Sequence, residues 1–356
     1  MQNWAILSLD LLKWVAHDRN KKILESHFNA EEAIQIGLDN INELERKRLD
    51  SLFYFAYDIQ AEIQSVYRKT WEAQRKALIE ILETFRSNFI EVYIYKGAEH
   101  IEKRFGSENL FGIADIDLIV NRNDLPQAKI CMINRGYRNA VCDIDKCELY
   151  DVDALDVASA EMNHGSEIYS FSILKEFELN AREVKGVKRW QKLPQFLHNG
   201  KGYAIVIFDI HYNVGSNYDI DSILGRSIKS VFEGANTLSD EDHFWVTSVK
   251  YYNEISKEGS CRLRDYAYLA SLLLNEKFDW TIVLESCREY ELHAPLYYIT
   301  SFLHYLNPDI MPVKVIERLN PMGVKRTNDY GWQIGKLLEF VEPNPLSSIE
   351  LKGSGL

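Results

Sequence analysis

Two aspartates separated by one residue begin a short apolar segment, residues 115–120 (DIDLIV). Residues of this kind favour a β-strand, in which side chains two positions apart point to the same face, on the order of 7 Å apart at the backbone. Two carboxylates on one face repel each other unless a cation neutralises them, and Mg²⁺ prefers carboxylate oxygens together with substrate phosphates. Asp115 and Asp117 are therefore either a metal site or the solvated acidic end of a strand.

A third acid, Asp209, lies within a second apolar segment, residues 203–210 (YAIVIFDI). An acid embedded in such a segment is hard to explain as part of a solvated face, because burying an unpaired charge costs free energy. His211 follows two residues later, so it shares the side of the strand on which Asp209 lies. The histidine either orients Asp209 or touches a substrate, or it is satisfied within the edge of the sheet.

A glycine turn precedes the aspartate pair. Residues 91–96 (EVYIYK) predict a strand, residues 98–104 predict the start of a helix, and Gly97 separates the two. Backbone N–H groups at such a junction can approach a phosphate at the N-terminus of the helix. Three strands, three acids and a glycine turn together fit phosphoryl transfer, in which two metal ions hold the attacking and leaving oxygens.

These motifs together resemble the bacterial uncharacterised nucleotidyltransferase family, which belongs to the DNA polymerase β-like nucleotidyltransferase superfamily. The likeness is carried by residues 95–98 (YKGA), 115–120 (DIDLIV), 134–137 (NRGY) and 208–212 (FDIHY). It extends through the helical pattern of residues 243–306. The resemblance implies an α+β fold, with a polymerase β-like nucleotidyltransferase core containing a mixed sheet, flanked by N-terminal and C-terminal helical domains.

The function that the resemblance implies is metal-dependent transfer of a nucleoside monophosphate from an NTP to an acceptor, with release of pyrophosphate. The cofactor would be Mg²⁺ or Mn²⁺, and ATP is the default NTP. By this analogy Asp115 and Asp117 would be catalytic acids that ligate both metal ions. Asp209 would ligate the ion that activates the acceptor and could help to take its proton.

The nucleotide-binding turn departs from the pattern of the superfamily. By the resemblance, the backbone at Gly97 and Ala98 would hold the triphosphate and Lys96 would neutralise part of its charge. The usual turn is Gly-Ser or Gly-Gly, whereas here Glu99 follows Ala98, so a hydroxyl is missing and a carboxylate could repel phosphate. The alternative is a non-catalytic nucleotide-binding sensor or scaffold protein with a degenerate core. A third hypothesis is an interaction protein that binds no nucleotide.

The rest of the chain predicts three regions around the core, residues 90–215. Residues 1–89 are helical in pattern, and apolar residues at three- and four-residue spacing indicate the same for a C-terminal helical domain, residues 216–340. Residues 341–356, which contain two prolines and a Gly-Ser-Gly ending, predict a loose tail. The length of 356 residues is consistent with two or three units.

Two segments of the core have different patterns. Residues 125–134 predict a helix, with Pro126 near its start and Gly136 just beyond its end. Residues 143–200 predict short strands and long loops. His164 would lie on one of those loops, either as a residue facing the acceptor or as part of an ordinary polar turn.

Composition restricts the partners and the location. The net charge of -12 argues against broad binding to a phosphate backbone, so a small molecule, peptide or protein is favoured over RNA as the acceptor. The five cysteines are odd in number and irregularly spaced, which predicts reduced thiols and no disulfide partner. No stretch approaches the roughly 20 apolar residues of a membrane span, and the N-terminus lacks signal-peptide features. We therefore expect a soluble, cytoplasmic protein.

Overall fold

The computed structural model describes residues 3–106, 113–189, 194–215, 217–258, 262–275 and 277–320. Contacts divide the chain into two compact units. The first takes in the described residues of Met1–Tyr57 and Asp240–Leu356, and the second those of Asp58–Ser239. This division differs from the predicted boundaries at residues 89 and 215, because the N-terminal and C-terminal helices pack with each other within the first unit.

The N-terminal region is helical, as its sequence predicts, but breaks at several turns. Its helices are α1 (Asn3–Ala16), α2 (Lys21–Leu24), α3 (Ala30–Asp39), α4 (Ile41–Arg46), α5 (Asp50–Ala56) and α6 (Ala61–Ser87). The break before α6 contains Asp58 and Gln60, both of which have positive φ angles that a helix does not accept. The sequence predicted the helical character of this region and not its division into short helices.

The helix α6 belongs to the second unit and supports its sheet. It continues for 27 residues without Gly or Pro. Trp71, Leu78 and Phe85 recur at seven-residue spacing on its buried face and are at most 1% exposed. This face contacts two strands of the sheet described next, including the strand that contains Asp209.

The second unit contains a mixed, seven-stranded sheet and a separate hairpin. Its strands are β1 (Val92–Tyr95), β2 (Ile116–Val120), β3 (Ala140–Asp143), β4 (Glu148–Asp151), β5 (Phe171–Phe177), β6 (Gln195–His198), β7 (Lys201–His211), β8 (Ile228–Lys229) and β9 (Asn236–Thr237). Its further helices are α7 (Gly97–Phe105), α8 (Leu125–Asn134), α9 (Ala154–His164), α10 (Ala181–Arg189) and α11 (Ile220–Leu224). The strand order is β5-β7-β2-β1-β9-β8, with β6 paired to β7, while β3 and β4 form the hairpin. The predicted α+β class with a mixed sheet is confirmed.

The stretch between residues 143 and 200 contains two helices that the sequence did not predict. Asp153 caps the start of α9 by accepting a hydrogen bond from the backbone N–H of Leu155, and Gly165 ends the helix in the left-handed region. His164 is therefore the last residue of a helix and does not lie on a loop. The large apolar side chains of α9, Leu155 and Met162, are both 81% exposed. The helix therefore has no strong apolar face directed at the core, which is the feature that helical periodicity detects.

The sheet also continues past the predicted end of the core at residue 215. The short strand β9 pairs in parallel with β1, and the Thr237 hydroxyl donates a 2.8 Å hydrogen bond to the Ile94 carbonyl. Both β8 and β9 have only two residues, which is too short for the alternation that identifies a strand. The structure therefore places this segment with the sheet and not with the C-terminal helices.

The C-terminal region is helical, as its sequence predicts. Its helices are α12 (Asp240–Asn253), continued by a π-helical turn at Glu254–Glu258, then α13 (Arg264–Leu272), α14 (Trp280–Glu289), α15 (His293–Leu306) and α16 (Val313–Leu319). The largely buried helix α1 packs against α13 and α15. The predicted tail, residues 341–356, lies outside the described residues.

Two compositional expectations can be compared with the structure. Among the described residues, the cysteines Cys131, Cys142, Cys147 and Cys287 are free thiols. The described part of the chain contains no helix with both the length and the apolar character needed to cross a bilayer.

The contribution of packing on the buried side of β7 to stability can be tested by substitution. Phe208 is fully buried, and its ring lies edge-on to that of Tyr137, with 5.3 Å between the centroids. We predict that Phe208→Ala lowers the free energy of unfolding by about 3–5 kcal/mol, because it removes a large buried ring and leaves a cavity. Urea unfolding followed by circular dichroism measures this change.

The matched control is Tyr137→Phe. Tyr137 is buried, and its hydroxyl has no hydrogen-bond partner among the described residues. Removing that hydroxyl should change the free energy of unfolding by less than about 1 kcal/mol, since no described bond is lost. Equal losses in the two variants would contradict the assignment of this stability to ring packing.

Candidate active site

Three neighbouring strands bring Asp117 and Asp209 side by side. The strand β2 lies between β1, which is antiparallel to it, and β7, which is parallel to it. Tyr95 pairs with Asp117 and Asp117 pairs with Asp209, so the three residues form a row across the sheet. Residues paired directly across neighbouring strands point to the same face, and this puts the two carboxylates together.

Asp115 immediately precedes β2 and acts on the same cluster. Burial raises the pKa of Asp209 to about 6, and the negative charges of Asp117 and then Asp115 add to this effect. The hydroxyl of Ser170 donates a 2.5 Å hydrogen bond to Asp209 Oδ1, which opposes the rise in pKa. The structure therefore brings the three predicted acids into electrostatic contact and orients one of them.

Asp117 is held between two nitrogen donors. Its Oδ1 lies 2.6 Å from Lys96 Nζ and 2.9 Å from His211 Nε2, and all three side chains are at most 10% exposed. Lys96 Nζ also lies 4.2 Å from the centre of the Tyr95 ring. The φ of +61° at Lys96 is unusual for a residue with a side chain, and such strain persists where the surroundings impose it.

His211 connects Asp117 to Glu167, a residue that the sequence did not single out. His211 Nδ1 lies 3.0 Å from Glu167 Oε2. Burial acts to lower the pKa of His211, but its hydrogen bonds to Asp117 and Glu167 outweigh burial and raise that pKa above its ordinary value. A protonated imidazole donates from both nitrogens, which matches a ring placed between two carboxylates.

Both residues that the sequence missed, Glu167 and Ser170, come from the segment before β5. This segment runs along β7: the N–H of Ile168 donates to the carbonyl of Ile210, and Glu167 forms an isolated antiparallel bridge with His211. The segment contains no motif that marks it as functional. Only its pairing with β7 brings it to the acids.

Gly97, the glycine of the predicted turn, is the first residue of α7. A Cβ atom at Gly97 would lie 2.7 Å from Ile113 Cγ2, so a larger residue would require Ile113 to move. The buried carboxylate of Glu99 accepts hydrogen bonds from the Ser230 hydroxyl and the Val231 N–H. These two bonds direct the Glu99 carboxylate towards Ser230 and Val231 and give it a structural role in the second unit.

The carboxylate oxygens of these acids are of the type that a hard divalent cation prefers, but they are not arranged as a complete metal site. Among the described residues, no group of three or more His, Cys, Asp and Glu side chains is arranged to hold a metal ion. Asp117 Oδ1 already accepts from Lys96 and His211, and a cation at that oxygen would have to compete with both. Carboxylate oxygens are nevertheless the ligands that Mg²⁺ prefers, and burial first, then the charges of Asp117 and Asp115, raise the pKa of Asp209.

Comparison with known proteins adds one finding. A family model described as "Uncharacterised nucleotidyltransferase" matches residues 47–308, a range that contains the glycine turn and all three acids. Neither the curated proteins nor the solved structures contain a match to this chain.

The crowding of the acids predicts a pH-dependent cost to stability. Folding raises the pKa of Asp209 from 3.8 to about 6, so the folded protein binds this proton more tightly than the unfolded chain does. The contribution of Asp209 to stability therefore falls as the pH rises from about 4 through 6. We predict that Asp209→Asn, without divalent cations, raises the free energy of unfolding at pH 7.5 by about 1–3 kcal/mol.

The gain should be much smaller at pH 4.5, where Asp209 keeps its proton in the folded protein. Urea unfolding at the two pH values measures the difference, and Asp145→Asn, a change at an exposed turn residue, is the control. If Asp209→Asn were no more stable than the wild-type protein at pH 7.5, the buried charge of Asp209 among its acidic neighbours would be excluded as a cost to folding.

Proposed function

Because the chain belongs to the uncharacterised nucleotidyltransferase family, we propose that it catalyses metal-dependent transfer of a nucleoside monophosphate from an NTP to an acceptor. The observation that carries this proposal is the row of acids formed by Asp117 and Asp209 on neighbouring parallel strands, with Asp115 beside them. ATP is the first NTP to test and Mg²⁺ the first cation, with Mn²⁺ as its substitute.

In the proposed reaction, an acceptor hydroxyl attacks the α-phosphorus and forms a new P–O bond. The bond between the α-phosphorus and its bridging oxygen breaks, and pyrophosphate leaves. Bound Mg²⁺ would supply positive charge for the phosphates and for the attacking oxygen. Asp115, Asp117 and Asp209 are the residues that would hold it.

Asp209 is the proposed acceptor of the proton from the attacking hydroxyl. A base works best when its pKa lies near the working pH. Without a cation, burial and the acidic neighbours raise the pKa of Asp209 to about 6, and a bound cation would lower it from there. Ser170 holds the Oδ1 atom and so fixes the orientation of the carboxylate. Ser170 is therefore a positioning residue for the proposed base, Asp209.

Lys96 is the proposed source of mobile positive charge at the turn. Its ammonium group lies 2.6 Å from Asp117 and belongs to the residue directly before Gly97. A lysine ammonium on a flexible stem can neutralise a phosphate oxygen as readily as a carboxylate. Backbone N–H groups at Gly97 and Ala98 would bind the triphosphate next to it.

The alternative function is that of a nucleotide-binding sensor that transfers nothing. It was suggested by the unusual Gly97-Ala98-Glu99 turn. The bonds that Glu99 accepts from Ser230 and Val231 give its carboxylate a structural role, which explains a glutamate at this turn without loss of catalysis. Calorimetry with Mg²⁺ and each NTP, beside the transfer assay below, separates the two functions.

We predict that combining Asp115→Asn with Asp117→Asn lowers transfer at least a hundredfold, because the substitutions remove the anionic ligands of the proposed cation. The measurement is incorporation of label from α-³²P-labelled ATP with Mg²⁺ in a lysate of the native organism. Asp145→Asn is the matched control, and circular dichroism checks that each variant is folded.

Label transfer that persists in the double variant would contradict the proposed site. Binding of Mg²⁺ and an NTP by the wild-type protein, without label transfer or pyrophosphate release over hours, would favour the sensor.

A further inference from the structure

An open cavity of about 940 Å³ lies between α8 and α9. The segment before β5 and the residue after β7 complete its wall through Glu167, Ile168 and Tyr212. Binding sites for small molecules typically enclose about 300–1,000 Å³, so this volume suits a ligand of that class. The function proposed above does not assign this cavity.

Two cations and two acids line the cavity: Arg122, Lys129, Glu161 and Glu167. Lys129 forms an ion pair with Glu161 at 2.7 Å, and Glu167 is bound to His211 at 3.0 Å. Arg122 is exposed and has no carboxylate within ion-pair distance among the described residues. Its guanidinium group is therefore the cation in the wall with which a ligand can pair.

Arg122 is also held in a way that suits recognition of an anion. Its guanidinium carbon lies 5.0 Å from the centre of the Tyr212 ring, a cation–π contact that restrains the side chain. The guanidinium presents N–H groups in a planar fork that matches the oxygens of a carboxylate or a phosphate. The part of the ligand that binds here is therefore an oxyanion.

The rest of the wall is largely apolar. Leu125 and Pro126 of α8, Met162 of α9 and Ile168 line the cavity. Met162 is 81% exposed, so a ligand can cover it and gain from removing its surface from water. These side chains favour an apolar body next to the anionic group.

The wall is directly connected to the acids. Glu167 bonds to His211, which bonds to Asp117, and the same short segment ends at Ser170, which bonds to Asp209. The glycine turn follows β1, on the other side of β2. The cavity is thus connected to Asp209 through the segment that contains Glu167 and Ser170, while the glycine turn lies on the side of β2 away from β7.

We propose that the α8–α9 cavity binds the acceptor, a small molecule with an apolar body and one carboxylate or phosphate held by Arg122. The anion-binding part stands on the cavity itself, and the acceptor role rests on the proposed nucleotidyl transfer. Arg122 is the residue that determines specificity for the anion.

Three probes that share one apolar body test the anion site: 1-naphthoate, 1-naphthyl phosphate and the cation 1-naphthylmethylamine. Titration of the full chain by calorimetry, without NTP or metal, should give at least tenfold tighter binding of one or both anions than of the amine. The tighter of the two anions identifies the ligand group as carboxylate or phosphate. The preference should disappear in Arg122→Gln and persist in Arg135→Gln, which changes an exposed arginine just beyond the other end of α8.

Equal binding of anions and amine, no detectable anion binding at millimolar concentration, or an unchanged preference in Arg122→Gln would each overturn the anion site. The acceptor role has a separate readout, since an anion that binds should inhibit label transfer from α-³²P-labelled ATP. Binding that leaves transfer unchanged would contradict the acceptor role. Absence of transfer under all conditions would instead refute the proposed function. The binding titrations would then still test the anion site independently.

Discussion

Two buried carboxylates in register on neighbouring parallel strands require positive charge nearby. In the second unit, several structural elements supply or hold the groups that meet this requirement. Asp117 and Asp209 pair directly across β2 and β7, and Asp115 adds a third negative charge. Repulsion among like charges is strong where burial reduces screening by water. Lys96 and His211 donate to Asp117, whereas burial and then the charges of Asp117 and Asp115 raise the pKa of Asp209 to about 6.

The surrounding elements hold this arrangement in place. The strand before the glycine turn brings Lys96 to Asp117, in a backbone conformation that a residue with a side chain seldom adopts. The segment before β5 pairs irregularly with β7 and supplies both Glu167 and Ser170 to the cluster. Structural strain and crowded charge at one point are common where a protein sacrifices stability for function.

The sequence predicted the acids better than their partners, for a physical reason. Asp209 could be recognised because an acid in an apolar strand needs a special explanation, and His211 because alternation places it on the same face. Glu167 and Ser170 lie in a segment without regular periodicity, so only tertiary pairing identifies them. Gly97 was recognised as a turn, but the bonds from Ser230 and Val231 that hold Glu99 connect residues more than 130 positions apart and leave no local pattern.

The fold shows the same limit. The amphipathic helix α6 belongs to a region with strong helical periodicity, and β7 was predicted from its continuous apolar segment. The helix α9 was missed because its apolar side chains are exposed, and β9 because two residues cannot show alternation. The predicted boundary at residue 89 separated α6 from the sheet that it supports, since helical character alone does not reveal the partner of a helix.

The proposed cation site can be tested by titration with Mn²⁺, followed by the loss of the electron paramagnetic resonance signal of the free ion. If Asp115, Asp117 and Asp209 bind a divalent cation, the wild-type protein and Asp145→Asn should bind Mn²⁺ equally well, and Asp209→Asn should bind it at least tenfold more weakly. Binding to Asp209→Asn as tight as to the wild-type protein would show that these carboxylates do not form the site.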